Sequence, residues 1–242
     1  MLRCTERDKK LIAKCALCKW LTTSQVQRLY FADATLNAVQ KRLRKLAEEG
    51  YLRTHRESIL SETLCAVGPK GRAVVEEKGL EWNGAQDIPR QIGHLVGVNE
   101  VRIAVETGTL PVAYFFAHWE FAPLGWRHPV IPDAVFGLRT PVLRNFAVEF
   151  DRATEGASVL ADKLGIYQAG LTGFAFEAVL FVTERVRRMD ALRRELTKRS
   201  VSVRILVGTL ADLQSQGLGS LAFLDLQRGR LMALVDAAPS TA

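Results

Sequence analysis

The sequence predicts an α+β protein in two parts: a helical N-terminal third closed by a two-stranded hairpin, and a larger α/β domain with a mixed sheet flanked by helices. Three observations carry this prediction. Apolar residues recur at helical spacing up to Glu49 and switch to alternation after Gly50. Three strand-like segments then follow one another between Val112 and Asp151. After them helix-like and strand-like segments alternate, as in a sheet with crossover helices. No apolar run approaches the roughly 18 residues of a membrane span, and the charged start MLRCTERDKK has no signal-like core, so a cytoplasmic chain without a membrane partner is expected. The 242 residues are enough to bury a core without staples, and Cys4, Cys15, Cys18 and Cys65 read as free thiols of a reducing compartment.

The net charge of +7 is unevenly placed: residues 1–80 carry 16 Lys+Arg against 9 Asp+Glu, and residues 81–242 carry 17 of each. A basic excess confined to one third of the chain creates a field that attracts a polyanion, most commonly nucleic acid.

Thr5 caps a first helix bearing Leu11, Ile12, Cys15, Leu17 and Cys18, with Glu6 and Asp8 in the first turn. A second helix, capped by Thr22 or Thr23, buries Val26, Leu29 and Tyr30 and carries Arg28. The third spans about Thr35 to Glu49, with Leu36, Val39, Leu43 and Leu46 as an apolar stripe and Gly50 as the stop. Asn37, Gln40, Lys41, Arg42, Arg44 and Lys45 lie off that stripe, a surface suited to a major groove. YLRTHRES and TLCAVGPKG then form a hairpin, with Arg53, His55 and Arg56 on or beside it near phosphates. A fourth helix from Pro69 to about Lys78 has proline at its first position. This order is that of a winged helix-turn-helix. Solvated packing modules and protein-docking modules share the order, and the joint agreement of charge, helix order and hairpin favours DNA. Cys15-x-x-Cys18 falls inside the first helix without a turn glycine or a second ligand pair, so core thiols are preferred to zinc.

Residues 81–88 read as a linker, and the second domain, 89–242, begins with a helix from about Pro89 to Glu106. Strands follow at VAYFFAHWEF, HPVIPDAVFGL and NFAVEFD, then a helix from about Ser158 to Ala169. The buried strand FEAVLFVT, an Arg-rich helix from Glu184 to Arg199, the strand VSVRILVG, a short segment TLADLQSQG and a terminal strand pair complete the chain. Asp133 lies on the second strand of this set, and Glu149 and Asp151 share one face of the third by alternation. Three converging carboxylates suit Mg2+ and phosphodiester chemistry. The same residues equally suit strand ends paired with Arg127, Arg144 and Arg152. His94, His118 and His128 have no ligand spacing and read as structural.

The stretches TERDKKLIAKCALCKWLTTSQVQRLYF, KRLRKLAEEGYL, AVGPKGRAVV, HLVGVNEVRIAV, IPDAVFGL, VEFDRATE, KLGIYQAG and VLFVTERVRRMDALRREL, in this order, resemble the replication-relaxation family of plasmids and other mobile elements. The resemblance covers most of the chain up to about residue 210 and implies a DNA partner and a role in replication or mobilisation. The second domain also resembles the PD-(D/E)xK nuclease core. Pro132-Asp133 matches its first acidic position and Glu149 its second, while Asp151 stands where that core has lysine. Lys163, with Tyr167 and Gln168 one turn beyond, is the candidate migrated cation. The implied catalytic set is Asp133, Glu149, Asp151 and Lys163, with the three carboxylates as Mg2+ ligands; a degenerate core retained for DNA contact or dimerisation is the preferred reading, because the lysine normally stabilises developing charge.

Three function classes follow. The first is a DNA-binding protein of a mobile element, acting on double-stranded DNA as a homodimer alongside replication or mobilisation proteins. The second is a Mg2+-dependent endonuclease or nicking accessory. The third is a dimeric transcriptional regulator.

Overall fold

A computed structural model describes residues 3–58, 61–80, 87–122, 124–126, 131–152, 156, 159, 162–163, 166–167, 176–196, 198 and 203–234. The chain forms two compact units, residues 1–99 and 100–242. The sequence reading places a linker at 81–88, of which 81–86 lie outside the described residues, whereas the units divide within helix α5, Ile92–Thr107.

In the first unit, α1 (Glu6–Cys18), α2 (Thr23–Tyr30) and α3 (Leu36–Glu48) begin where side chains satisfy their free N–H groups. Thr5 Oγ1 accepts from Asp8 N at 3.3 Å and Asp8 Oδ2 from Thr5 N at 2.8 Å, a reciprocal box repeated by Thr22 and Gln25. Thr35 Oγ1 caps α3 through Ala38 N at 3.3 Å. Beyond α3 Gly50 takes φ +82°, a conformation other residues adopt at a cost.

Strands β1 (Leu21–Thr22), β2 (Leu52–His55) and β3 (Leu64–Val67) form an antiparallel sheet in the order β1-β3-β2. The hairpin is as expected, and β1 is an addition, since two residues carry no periodicity. Leu11, Ile12, Cys15, Val26, Val39, Leu43, Leu46, Leu52 and Cys65 fill the core beneath it.

Two expectations are corrected here. Leu36 is 40% exposed, so the buried stripe of α3 begins one turn later at Val39. Helix α4 runs Gly71–Glu77 rather than from Pro69, because residues 68–71 first make a tight turn in which Gly71 N donates to Gly68 O at 2.9 Å. A Cβ on Gly71 would overlap the carbonyl of Tyr51.

The second unit holds a seven-stranded sheet whose strands lie in sequence order: β4 (Val112–Ala117), β5 (Ala134–Thr140), β6 (Val142–Asp151), β7 (Ala178–Thr183), β8 (Ile205–Thr209), β9 (Ala222–Asp225) and β10 (Arg230–Ala233). β6, β7 and β8 are parallel and the other pairs antiparallel, so the sheet is mixed and the protein α+β, as expected. Helices α6 (Val186–Leu196) and α7 (Leu210–Ser220) flank β8 in sequence, α7 arising where only a short segment is expected. The first strand stops at Ala117 instead of Phe121, because Glu120 turns back to accept Ala117 N at 2.8 Å and is held by buried Arg102 at 2.8 Å. The expected helix from Ser158 to Ala169 falls largely outside the described residues; Val159, Asp162, Lys163, Ile166 and Tyr167 are helical. Val135, Ala147, Val179, Phe181, Ile205 and Val207 form one sheet face, covered by Tyr167 and Leu192.

Candidate nucleic-acid interface and carboxylate cluster

Helix α3 separates its charge by rotation. Val39, Leu43 and Leu46 are buried, while Asn37, Lys41, Arg44 and Lys45 are exposed on the opposite side. Asn37, Lys41 and Arg44, spaced by four and three residues, form one ridge along the helix. Among the described residues no ion pair engages Lys41, Arg44 or Lys45. Gln40 is half-buried at the edge of this face.

Arg42 departs from the outward surface the sequence suggests. It is paired with Asp8, whose side chain is buried, with Arg42 Nε donating to Asp8 Oδ1 at 3.0 Å, and so joins α3 to the start of α1. Burial pushes the Asp8 carboxyl up, but the hydrogen bonds from Arg42 and Thr5 outweigh it and leave the group below its ordinary range. No sequence signal separates Arg42 from its neighbours, since its partner lies 34 residues away.

Arg28 is exposed in the last turn of α2. Arg53 is half-buried on β2 with its guanidinium 6.0 Å from the Trp20 ring centre, His55 ends β2, and exposed Arg56 donates to Ser61 O at 2.8 Å. Cys15 and Cys18 are buried in α1, and Cys15 Sγ lies 3.9 Å from Cys65 Sγ, in agreement with core thiols.

In the second unit the β5–β6 register pairs Ala134 with Val148, which sets Asp133 opposite Glu149. Asp133 Oδ2 accepts the N–H of Phe150 at 2.8 Å. Glu149 is buried, and Lys163 Nζ donates to its Oε2 at 2.5 Å while the Tyr167 hydroxyl donates to Oε1. Lys163 and Tyr167 are one helical turn apart, which aims both at one carboxylate. Burial raises the Glu149 pKa to about 7, helped by the Asp133 charge and opposed by Lys163 and Tyr167. Burial and the facing carboxylate push the Tyr167 hydroxyl well above its usual value.

Asp151, on the same sheet face as Glu149, is bound instead by Arg188 of α6, Nε to Oδ2 at 2.5 Å. The alternative arginine partners are also redirected: Arg144 pairs with Glu177 at 3.1 Å and Arg152 with Glu184 at 3.3 Å, while Arg127 lies outside the described residues. Of the three carboxylates expected to share Mg2+, Glu149 and Asp151 are thus bound by two different protein cations, while Asp133 accepts a backbone N–H. Among the described residues no group of three or more His, Cys, Asp or Glu side chains is arranged to hold a metal ion. Tyr167 and Arg188 are the partners that sequence reasoning did not assign.

No helix among the described residues is long and apolar enough to cross a membrane. No curated protein and no solved structure matches the chain. The model of one family, described as replication-relaxation, matches residues 14–179, a span that runs from the end of α1 through α5, strands β4 to β6 and the first residues of β7, and includes Asp133, Glu149, Asp151, Lys163 and Tyr167. By this match over more than half of its length, the chain belongs to the replication-relaxation family.

Proposed function

We propose that this is a DNA-binding protein of a plasmid or other mobile element, acting in replication, mobilisation or its regulation. Residues 1–80 form a winged helix-turn-helix that lays α3 in the major groove of double-stranded DNA. The observation that carries this reading is the ridge of Asn37, Lys41 and Arg44, exposed on a helix whose opposite stripe is buried. Arg and Asn there read base edges, and Lys41, Lys45, Arg28, Arg53, His55 and Arg56 contribute phosphate contacts. Family membership and the basic excess of residues 1–80 support the same partner.

In this reading the protein works in the cytoplasm as a homodimer, with replication or mobilisation proteins as neighbours. The second unit supports assembly or DNA handling, because Lys163 and Arg188 already neutralise Glu149 and Asp151.

The test is a titration of labelled plasmid with the full chain, with and without Mg2+, scoring binding and cleavage in the same reactions. Binding without cleavage in both supports the proposal. Nicking that needs Mg2+ and is lost in Glu149→Ala would replace it with the endonuclease reading, and absence of binding would overturn it.

A further inference from the structure

The balanced charge of residues 81–242 conceals a local excess. Arg193, in the last turn of α6, comes close to the turn joining β9 to β10: a Cβ placed on Gly229 would stand 3.9 Å from Arg193 Nη2. Arg228 and Arg230 flank that glycine, and all three arginines are exposed. Among the described residues no ion pair engages Arg193 or Arg230.

The turn that presents them is well defined. Asp225, buried at its start, accepts the N–H groups of Gln227 and Arg228 at 3.0 Å each, and Gly229 takes φ +64° to close it. The Asp225 carboxylate is shared, with Arg204 Nε 3.0 Å and Arg228 Nε 3.8 Å from the same oxygen. Glu195, two residues beyond Arg193, is engaged by Lys198 at 2.7 Å. With Arg193 and Arg230 in no ion pair among the described residues, and Arg228 sharing Asp225 with Arg204, positive charge collects beside this turn and attracts an anion.

We propose that Arg193, Arg228 and Arg230 form a second nucleic-acid contact, a phosphate-backbone clamp on the C-terminal unit. Guanidinium forks match phosphate oxygens in a bidentate way, and two on this turn with a third beside it on α6 suit successive phosphates better than a single small anion. The choice of nucleic acid as the polyanion rests on the function proposed above. The clamp carries no base-reading group, so it adds affinity and salt dependence without sequence preference.

The experiment uses the full chain and a labelled duplex of mixed sequence, titrated at salt concentrations from about 50 to 200 mM. Wild type is compared with Arg193→Gln/Arg230→Gln, with Lys41→Ala/Arg44→Ala and with the combined variant. Losing two phosphate contacts lowers the slope of log affinity against log salt by about 1.8, and the arginine variant should bind roughly five- to tenfold more weakly. Arg193→Lys/Arg230→Lys retains most of the slope, which loss of a merely structural arginine would not allow.

If the glutamine variant matches wild type in affinity and slope, the clamp is overturned, and an acidic protein then becomes the partner to examine. If it weakens binding while the α3 variant does not, the clamp stands and the α3 reading fails. If both variants weaken binding, both stand. Should the double variant lower the melting temperature, Arg230→Gln alone, on the edge strand, reads the same effect as a slope decrease of about 0.9.

Discussion

Lys163 Nζ donates to Glu149 Oε2 at 2.5 Å, placing a lysine from a helix against the carboxylate of a central strand. With Arg188 on Asp151, this pair gives the acidic positions of the sheet internal cations. The Tyr167 hydroxyl occupies the other Glu149 oxygen, so the buried carboxylate has a partner on each side. These partners offset part of the cost of burying the Glu149 charge, but burial and the Asp133 charge still favour its protonated form.

The Glu149 pKa of about 7 ties stability to pH. A carboxyl whose folded value lies above its unfolded value holds an extra proton in the folded state between about pH 4.5 and 7. Its favourable contribution is complete below that window and lost as pH rises through it. Wild type should therefore lose on the order of 2–3 kcal/mol of unfolding free energy from this group between pH 4.5 and 8. Glu149→Gln should flatten that part of the profile in denaturant melts recorded across the range. An unchanged slope in Glu149→Gln would show that the carboxyl titrates normally.

Divalent ions should leave the folded protein unaffected. A ligand that binds only the native state raises its stability by mass action, and Lys163 and Arg188 already supply the positive charge at Glu149 and Asp151. Millimolar Mn2+ or excess chelator should leave the melting temperature of wild type in place. A rise with Mn2+ that disappears in Asp133→Ala would restore a metal site at these carboxylates.

The Arg42 to Asp8 pair makes a stability prediction within the first unit. Arg42→Ala leaves a buried carboxylate without its main partner and should cost about 2 kcal/mol at neutral pH. Because the Asp8 pKa is lowered on folding, its contribution is present above about pH 4 and lost as pH falls through the lower folded value. The deficit of Arg42→Ala should accordingly shrink in acid, as urea melts at pH 7 and pH 3 will reveal. A constant deficit would assign Arg42 to packing alone.

The exposed face of α3 predicts the opposite behaviour, a binding loss without a stability loss. Lys41→Ala/Arg44→Ala should weaken duplex affinity by about 2 kcal/mol or more and flatten its salt dependence, with the melting temperature unchanged. Fluorescence anisotropy at several salt concentrations reads both quantities. Full affinity in the folded double variant would remove α3 from the interface.

Much of this was legible in the sequence because it is set locally. Thr5, Thr22 and Thr35 announce three helix starts through hydrogen bonds that span only three residues, and Gly50 marks a turn requiring positive φ. Period-two alternation likewise places Glu149 and Asp151 on one face of β6. Strand β1 was hidden, since Leu21 and Thr22 become a strand only by pairing with Cys65 and Leu64. Only the tertiary structure decided which cation meets which carboxylate. Arg42 and Lys41 are adjacent basic residues, yet helix rotation turns one onto buried Asp8 and the other outward. Asp151 could have joined Glu149 at a metal, but folding brings it Arg188 from 37 residues away. Local patterns report the face a side chain occupies, whereas its partner depends on which distant helix packs over that face.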